Sequence, residues 1–205
     1  MRSGIRLLAA AFVPILLLCK NVAHGSDDIE TVVFVRHGEK PNAGLGQLDC
    51  QGLNRALALP AVIAETFGRP SAVFAPNPAD QKNDDGEPYD YVRPLATIEP
   101  TAIFFGLPVN ASIGVSNIDG LKEALEQPAY RTVFILVAWE HKEIETLARD
   151  LVSSNGGDAS AVPKWHGDDF DSMDVVKIVR SAGTTSVSFE LKHEGLDGQS
   201  SICPQ

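Results

Sequence analysis

Sulfur and positive charge are both scarce in this chain. Three cysteines in 205 residues are too few for a disulfide-built scaffold. Seventeen lysines and arginines against 27 acidic residues leave a formal net charge of −10, which argues against a nucleic-acid binder or a basic membrane-surface protein. The one apolar stretch of any length, Leu7 to Leu18 with Pro14 inside it, is too short to cross the about 30 Å hydrocarbon core of a bilayer as a helix. No segment repeats, which excludes a solenoid or propeller. What remains is 44% hydrophobic and long enough for one core of ordinary size, so a single domain is expected.

The first 25 residues have the order of a secretory signal peptide. Arg2 and Arg6 form a basic start, Leu7 to Leu18 the apolar part, and Ala23-His24-Gly25 the small residues a signal peptidase reads. Cleavage after Gly25 would remove Arg2, Arg6 and Lys20 but no acid, leaving a still more acidic protein, 26–205, in the periplasm or secreted. Cys19 would go with the leader. The remaining Cys50 and Cys203 then form an even pair in an oxidising compartment, which suggests a disulfide tying the chain's end back near the first helix; two unrelated buried thiols are the alternative.

The stretch that organises the chain is Thr31-Val32-Val33-Phe34-Val35-Arg36-His37-Gly38. Its β-branched apolar residues read as a short buried strand that stops at three residues with a common chemistry. Imidazole is a nucleophile near neutral pH, Arg36 offers a planar fork of donors to phosphate oxygens, and Gly38 lets backbone approach a ligand. Ligands of open α/β sheets gather beyond the carboxyl ends of strands, where His37 would lie. No His, Cys or carboxylate cluster at metal-ligand spacing accompanies it, so no metal and no cofactor are expected.

Further along, Asp49 is a good N-cap for a helical pattern from Leu53 to Ala64, which Pro60 should kink or divide. Ser71 to Ala75 reads as a second strand and the polar stretch Ala79 to Tyr91 as a surface loop. Pro94 suits the first turn of a helix ending at Gly106, with Arg93 at its start. A short edge strand is expected within Val109 to Ser116 and a helix over Ile118 to Gln127. Thr132 to Ala138 is the strongest strand, and it runs out at Trp139-Glu140-His141 before a helical pattern over Lys142 to Leu151. A second histidine thus stands at a second strand's carboxyl end. Pro163 to Ser172 reads as a turn or pocket wall, followed by strands at Met173 to Val179 and Thr185 to Leu191.

A strand leading into Arg-His-Gly resembles the signature of the histidine phosphatase superfamily, here an exported, bacterial-type member. Leu48-Asp49-Cys50-Gln51-Gly52-Leu53-Asn54-Arg55-Ala56 is similar to that family's first-helix opening, and Thr101-Ala102 to a pair in its second helix. Two positions depart: Thr97 occupies the usual arginine place, with Arg93 one turn earlier, and Lys142-Glu143 follows the second histidine where glycines are usual. Lys40-Pro41-Asn42 also lacks the Trp-Asn ending of the mutase branch.

The resemblance implies a phosphoglycerate-mutase-like α/β fold, a three-layer sandwich with a mostly parallel central sheet. It implies a metal-independent phosphatase, a phosphoric monoester hydrolase of the histidine acid phosphatase type, acting on phosphomonoesters or phosphohistidine through a phosphohistidine on His37. Arg36, Arg93, Gly38 and His141 would hold the phosphate. Glu140 would donate the proton, with Glu39 as its rival. The partner would be a small phosphate ester or a phosphopeptide, with no nucleic acid and no stable membrane association after signal cleavage. The alternative is a non-catalytic exported anion-binding or sensory module that keeps the phosphate pocket.

Overall fold

Val32, Val33, Phe34 and Val35 are all fully buried, because β1 (Asp28–Arg36) has a helical layer over each face. The computed structural model of the protein describes residues 27–205; the segment read as a signal peptide, Cys19 included, lies outside them. The remaining elements in chain order are α1 (Cys50–Thr66), β2 (Ala72–Phe74), β3 (Gln81–Asp84), β4 (Glu87–Asp90), α2 (Arg93–Phe105), β5 (Val109–Asn110), α3 (Ile118–Leu125), β6 (Phe134–Trp139), α4 (His141–Ser154), β7 (Ser172–Ser181) and β8 (Thr184–His193). One six-stranded sheet runs in the order β5-β2-β6-β1-β7-β8. Its β5, β2, β6 and β1 are parallel, and β7 and β8 add antiparallel to the β1 side. The expected mostly parallel α/β architecture is what the chain adopts.

Alternate residues of β1 feed two cores. Val32 and Phe34 pack with Ile144, Leu147 and Leu151 of α4 and with Leu121 of α3. Val33 and Val35 pack with Leu59 and Ile63 of α1 and Ile98 of α2. Asp49 caps α1 by accepting from the Gly52 amide at 2.9 Å, and Gly106 ends α2 at φ 63°. Pro60 does not divide α1, which is one helix from Cys50 to Thr66. Pro60 lies on the buried face, and the packing against the sheet holds the helix across its missing hydrogen bond.

The stretch Ala79 to Tyr91 is not an open loop. It forms the β3–β4 hairpin, turning at Asp85 (φ 54°) and Gly86 (φ 91°), the left-handed pair a two-residue hairpin turn requires.

The C-terminal tail is fastened to α1. Cys50 and Cys203 are joined by a disulfide across 153 residues of sequence, and Asn54 donates to the carbonyls of Ser200 and Ile202, each at 2.8 Å. Arg55, wholly buried, is the centre of this attachment. Its guanidinium meets Glu39 at 2.8 Å, Asp171 at 3.2 Å, Glu194 at 2.7 Å and Asp197 at 2.9 Å. One cation faces four carboxylates, so the group deepest in the cluster keeps a proton. Burial pushes Glu194 up, Arg55 pulls it back, and Asp171 and Glu39 push it up again, to about 8.

That value fixes a sign. An unfolded glutamate releases its proton near 4.5, whereas the folded protein holds it to about 8. Proton uptake on folding costs progressively more as pH rises, so stability contributed here is lost between those values. Glu194→Gln should therefore remove a negative slope of up to about 1.4 kcal/mol per pH unit from the unfolding free energy. Denaturant titrations across neutral pH read this directly, and equal slopes in the two proteins would refute it.

Candidate active site

The two histidines meet because β1 and β6 are adjacent, parallel and in register. Arg36 stands opposite Trp139, and the His37 amide donates to the Trp139 carbonyl at 3.2 Å. Glu140 and His141 follow at once as the N-cap and first residue of α4. Arg36, His37, Arg93 and Glu140 are all buried, and Arg93 enters from the start of α2.

His37 is held as a neutral imidazole. Its Nδ1 lies 2.7 Å from the Gly38 carbonyl, which only accepts, so Nδ1 carries the proton and Nε2 keeps its lone pair. Burial drives the imidazole down; the Gly38 bond resists, Arg36 and Arg93 add to the fall, and the result is about 3.

Gly38 ties the His37 loop to two helices. Its amide donates to Thr97 Oγ1 at 2.9 Å, and Thr97 in turn donates to the Arg93 carbonyl at 2.9 Å. A Cβ on Gly38 would lie 3.0 Å from the Gly52 backbone of α1, so the glycine is needed for close packing of that helix. Thr97, standing where an arginine is usual, is the bolt between α2 and the His37 loop.

The two arginines are fixed by their outer nitrogens. Arg36 Nη1 donates to the carbonyls of Gly167 (2.9 Å) and Asp169 (2.7 Å), and its Cζ stacks 3.9 Å from the Phe170 ring centroid. Arg93 is gripped by Asp84 of the hairpin at 2.5 and 3.3 Å and lies 4.7 Å from the Tyr91 ring. In each case the Nε is buried and unpartnered. Two further buried polar atoms in the same neighbourhood have no hydrogen-bond partner, His141 Nδ1 and the Tyr91 hydroxyl. His141 Nδ1 lies 3.0 Å from Glu140 Oε1, at an angle that makes no hydrogen bond. A buried polar group left unpaired costs free energy, and these four, without a partner among the described residues, lie on the segments that meet at the ends of β1 and β6.

Glu140 is an anion in the free protein. Its Oε2 caps α4, accepting from the Lys142 and Glu143 amides at 2.9 and 3.2 Å, and Lys82 Nζ approaches Oε1 at 3.6 Å. Burial would raise its carboxyl, but His141, Lys82 and the capping bond outweigh it and bring it down to about 2. Glu39, the rival donor, is engaged by Arg55 through three hydrogen bonds of 2.8 to 3.2 Å. Its carboxylate belongs to the tail attachment.

The residues brought together are thus Arg36, His37, Arg93, Glu140 and His141. Phe170 joins them from the stretch read as a turn or pocket wall, and Lys82, Asp84 and Tyr91 from the hairpin, whose polarity gives no sign of a site.

Comparison with known proteins bears on the fold. No protein-family model and no curated protein sequence matches the chain. Solved structures do. A putative phosphohistidine phosphatase SixA from Nakamurella multipartitia is 15% identical, with a TM-score of 0.54 over 80% of this chain and 96% of that one. A mycobacterial glucosyl-3-phosphoglycerate phosphatase, in complex with inorganic phosphate, is 12% identical, with a TM-score of 0.53 over 78% of this chain and 95% of that one. A phosphoglycerate mutase from Plasmodium falciparum is 13% identical, with a TM-score of 0.50 over 79% and 89%. The chain has the phosphoglycerate-mutase-like fold of these proteins.

The grip of Asp84 on Arg93 has a measurable consequence. Asp84→Ala leaves a buried guanidinium without its carboxylate and should destabilise the protein by about 2–3 kcal/mol. Chemical denaturation measures it, and a loss below about 0.5 kcal/mol would mean that the pair is not structural.

Proposed function

We propose that the chain is a phosphatase of the histidine phosphatase superfamily, acting on phosphomonoesters or phosphohistidine without a metal. The observation that supports this best is the neutral His37 Nε2 set among the unpartnered donors Arg36 Nε, Arg93 Nε and His141 Nδ1. A phosphoryl group brings an electrophilic centre for the first and acceptor oxygens for the others. The likeness in fold to phosphatases agrees with it.

In this reading the Nε2 lone pair attacks phosphorus as the ester P–O bond breaks. The arginines and His141 hold the equatorial oxygens, where charge is concentrated. The leaving oxygen takes a proton from Glu140. Glu140 is ionised at rest, so the proton arrives with the substrate: a phosphate monoester gives up its second proton near about pH 6, and its monoanion shares that proton with the carboxylate. Water then attacks the phosphohistidine, its proton passes to Glu140, and inorganic phosphate leaves with it. Proton and phosphoryl balances close over the two steps.

The N-terminal stretch is taken as an export signal, so the protein would work in the periplasm or outside the cell, where the Cys50–Cys203 disulfide is stable.

Rapid mixing with labelled phosphomonoester should trap an acid-labile, base-stable phosphoenzyme, absent in His37→Ala. Dialysis against a chelator should leave the rate unchanged. With an alkyl phosphate, kcat/KM should fall as pH rises above about 6, because the monoanion disappears while His37 stays neutral throughout. Phosphate binding without turnover would favour the sensory alternative, and full activity in His37→Ala would end the phosphohistidine reading.

A further inference from the structure

Tyr91 belongs to no motif, yet it is wholly buried and its hydroxyl has no hydrogen-bond partner. Buried phenols usually find an acceptor, since an unpaired hydroxyl is costly. The surroundings of this one are unusual in supplying donors instead. Arg93 lies 4.7 Å from the ring centroid and Lys82 Nζ 5.2 Å, while the His37 ring meets it edge to face at 6.0 Å. Burial raises the phenol well above its ordinary range, against the pull of Arg93 and Arg36, so the group remains a neutral O–H whose proton is free to donate. Glu140, the nearby anion, is already occupied by two backbone amides and makes no bond to it.

We propose that Tyr91 is a further catalytic residue, its hydroxyl donating to an equatorial oxygen of the phosphoryl group transferred to His37. The inference rests on the phosphatase reading above and adds a contact that the strand-end motifs do not contain. Three observations carry it together: complete burial, an unpartnered O–H, and a position against the imidazole and the guanidinium that flank the reacting phosphorus. The hairpin makes the placement possible. Asp84 grips Arg93, and the β4 strand delivers the chain to Tyr91 two residues before that arginine.

Tyr91→Phe keeps the ring and removes only the hydroxyl. Inorganic phosphate and vanadate are titrated calorimetrically into the full chain and the variant, with the melting temperature of each measured without ligand. The variant should bind both anions about ten- to a hundredfold more weakly, with kcat reduced by a similar factor. Its unliganded melting temperature should be unchanged or higher, because a buried unpaired group has gone. A structural hydroxyl would give the reverse, and a lowered melting temperature with unchanged anion affinity overturns the proposal. If the wild-type chain binds neither anion, the phosphatase reading fails; if it binds them and Tyr91→Phe binds them equally, only the Tyr91 assignment fails. Should Tyr91→Phe not fold, 3-fluorotyrosine in the chain's three tyrosines supplies a second measurement. The fluorine resonance that survives both Tyr89→Phe and Tyr130→Phe is that of Tyr91. It should move on saturation with phosphate, and a stationary resonance refutes the contact.

Discussion

The parallel pairing of β1 with β6 is the constraint on which the rest of the site depends. It ends two buried strands side by side, with Arg36 across from Trp139, so that His37 and His141 leave the sheet together. Side chains alternate along a strand, and a slip of one residue would turn Val33 and Val35 into the wrong core along with every side chain of β1. The hydrophobic packing of both faces therefore fixes the positions of groups that are not hydrophobic. Catalytic geometry and core stability are enforced by the same register.

Such a site has to carry positive charge in a protein that is strongly negative. Arg36, Arg93, Lys82 and Lys40 are met locally by Asp84 and Glu140. His37 is uncharged, and the Asp169 carboxylate also acts on Arg36. The guanidiniums are not simply free for a ligand, since carbonyls of the 163–171 loop and the Asp84 carboxylate take their outer nitrogens. That cost is partly recovered as orientation: each Nε is left in place without needing to be recruited. Low dielectric around these charges is also what lowers the His37 imidazole and keeps its lone pair available.

The sequence showed the frame of the site and the 163–172 wall but hid the hairpin, and the reasons are specific. Strand ends were legible because Val32 to Val35 and Ile135 to Ala138 are apolar runs that stop at polar residues. Asp49, Pro94 and Gly106 marked helix ends through backbone requirements that act locally. The hairpin did carry its signal, Asp85-Gly86, but its strands Gln-Lys-Asn-Asp and Glu-Pro-Tyr-Asp lack the alternation of a half-buried sheet. They are held by Arg93 and the turn, which no periodicity reports. Arg55 was hidden for a similar reason. Its partners Glu39, Asp171, Glu194 and Asp197 are scattered over the sequence, and only the fold collects them. Gly38 is legible in the motif, but the room it leaves for Gly52 is visible only once α1 is in place.

The Arg55 cluster also explains where the Glu39 carboxylate is spent, two residues from His37. Three hydrogen bonds to one buried guanidinium commit that carboxylate to α1, and the Asp49 amide, donating to the Glu39 carbonyl at 3.0 Å, fixes the backbone beside it. The tail is drawn to the same guanidinium by Glu194 and Asp197 and is covalently held at the adjoining turn by Cys203. Burial, with the Asp171 and Glu39 carboxylates beside it, keeps a proton on Glu194 against the pull of Arg55. That proton removes one negative charge from the far side of the His37 loop. The loop is braced from behind by a carboxylate the pocket never meets.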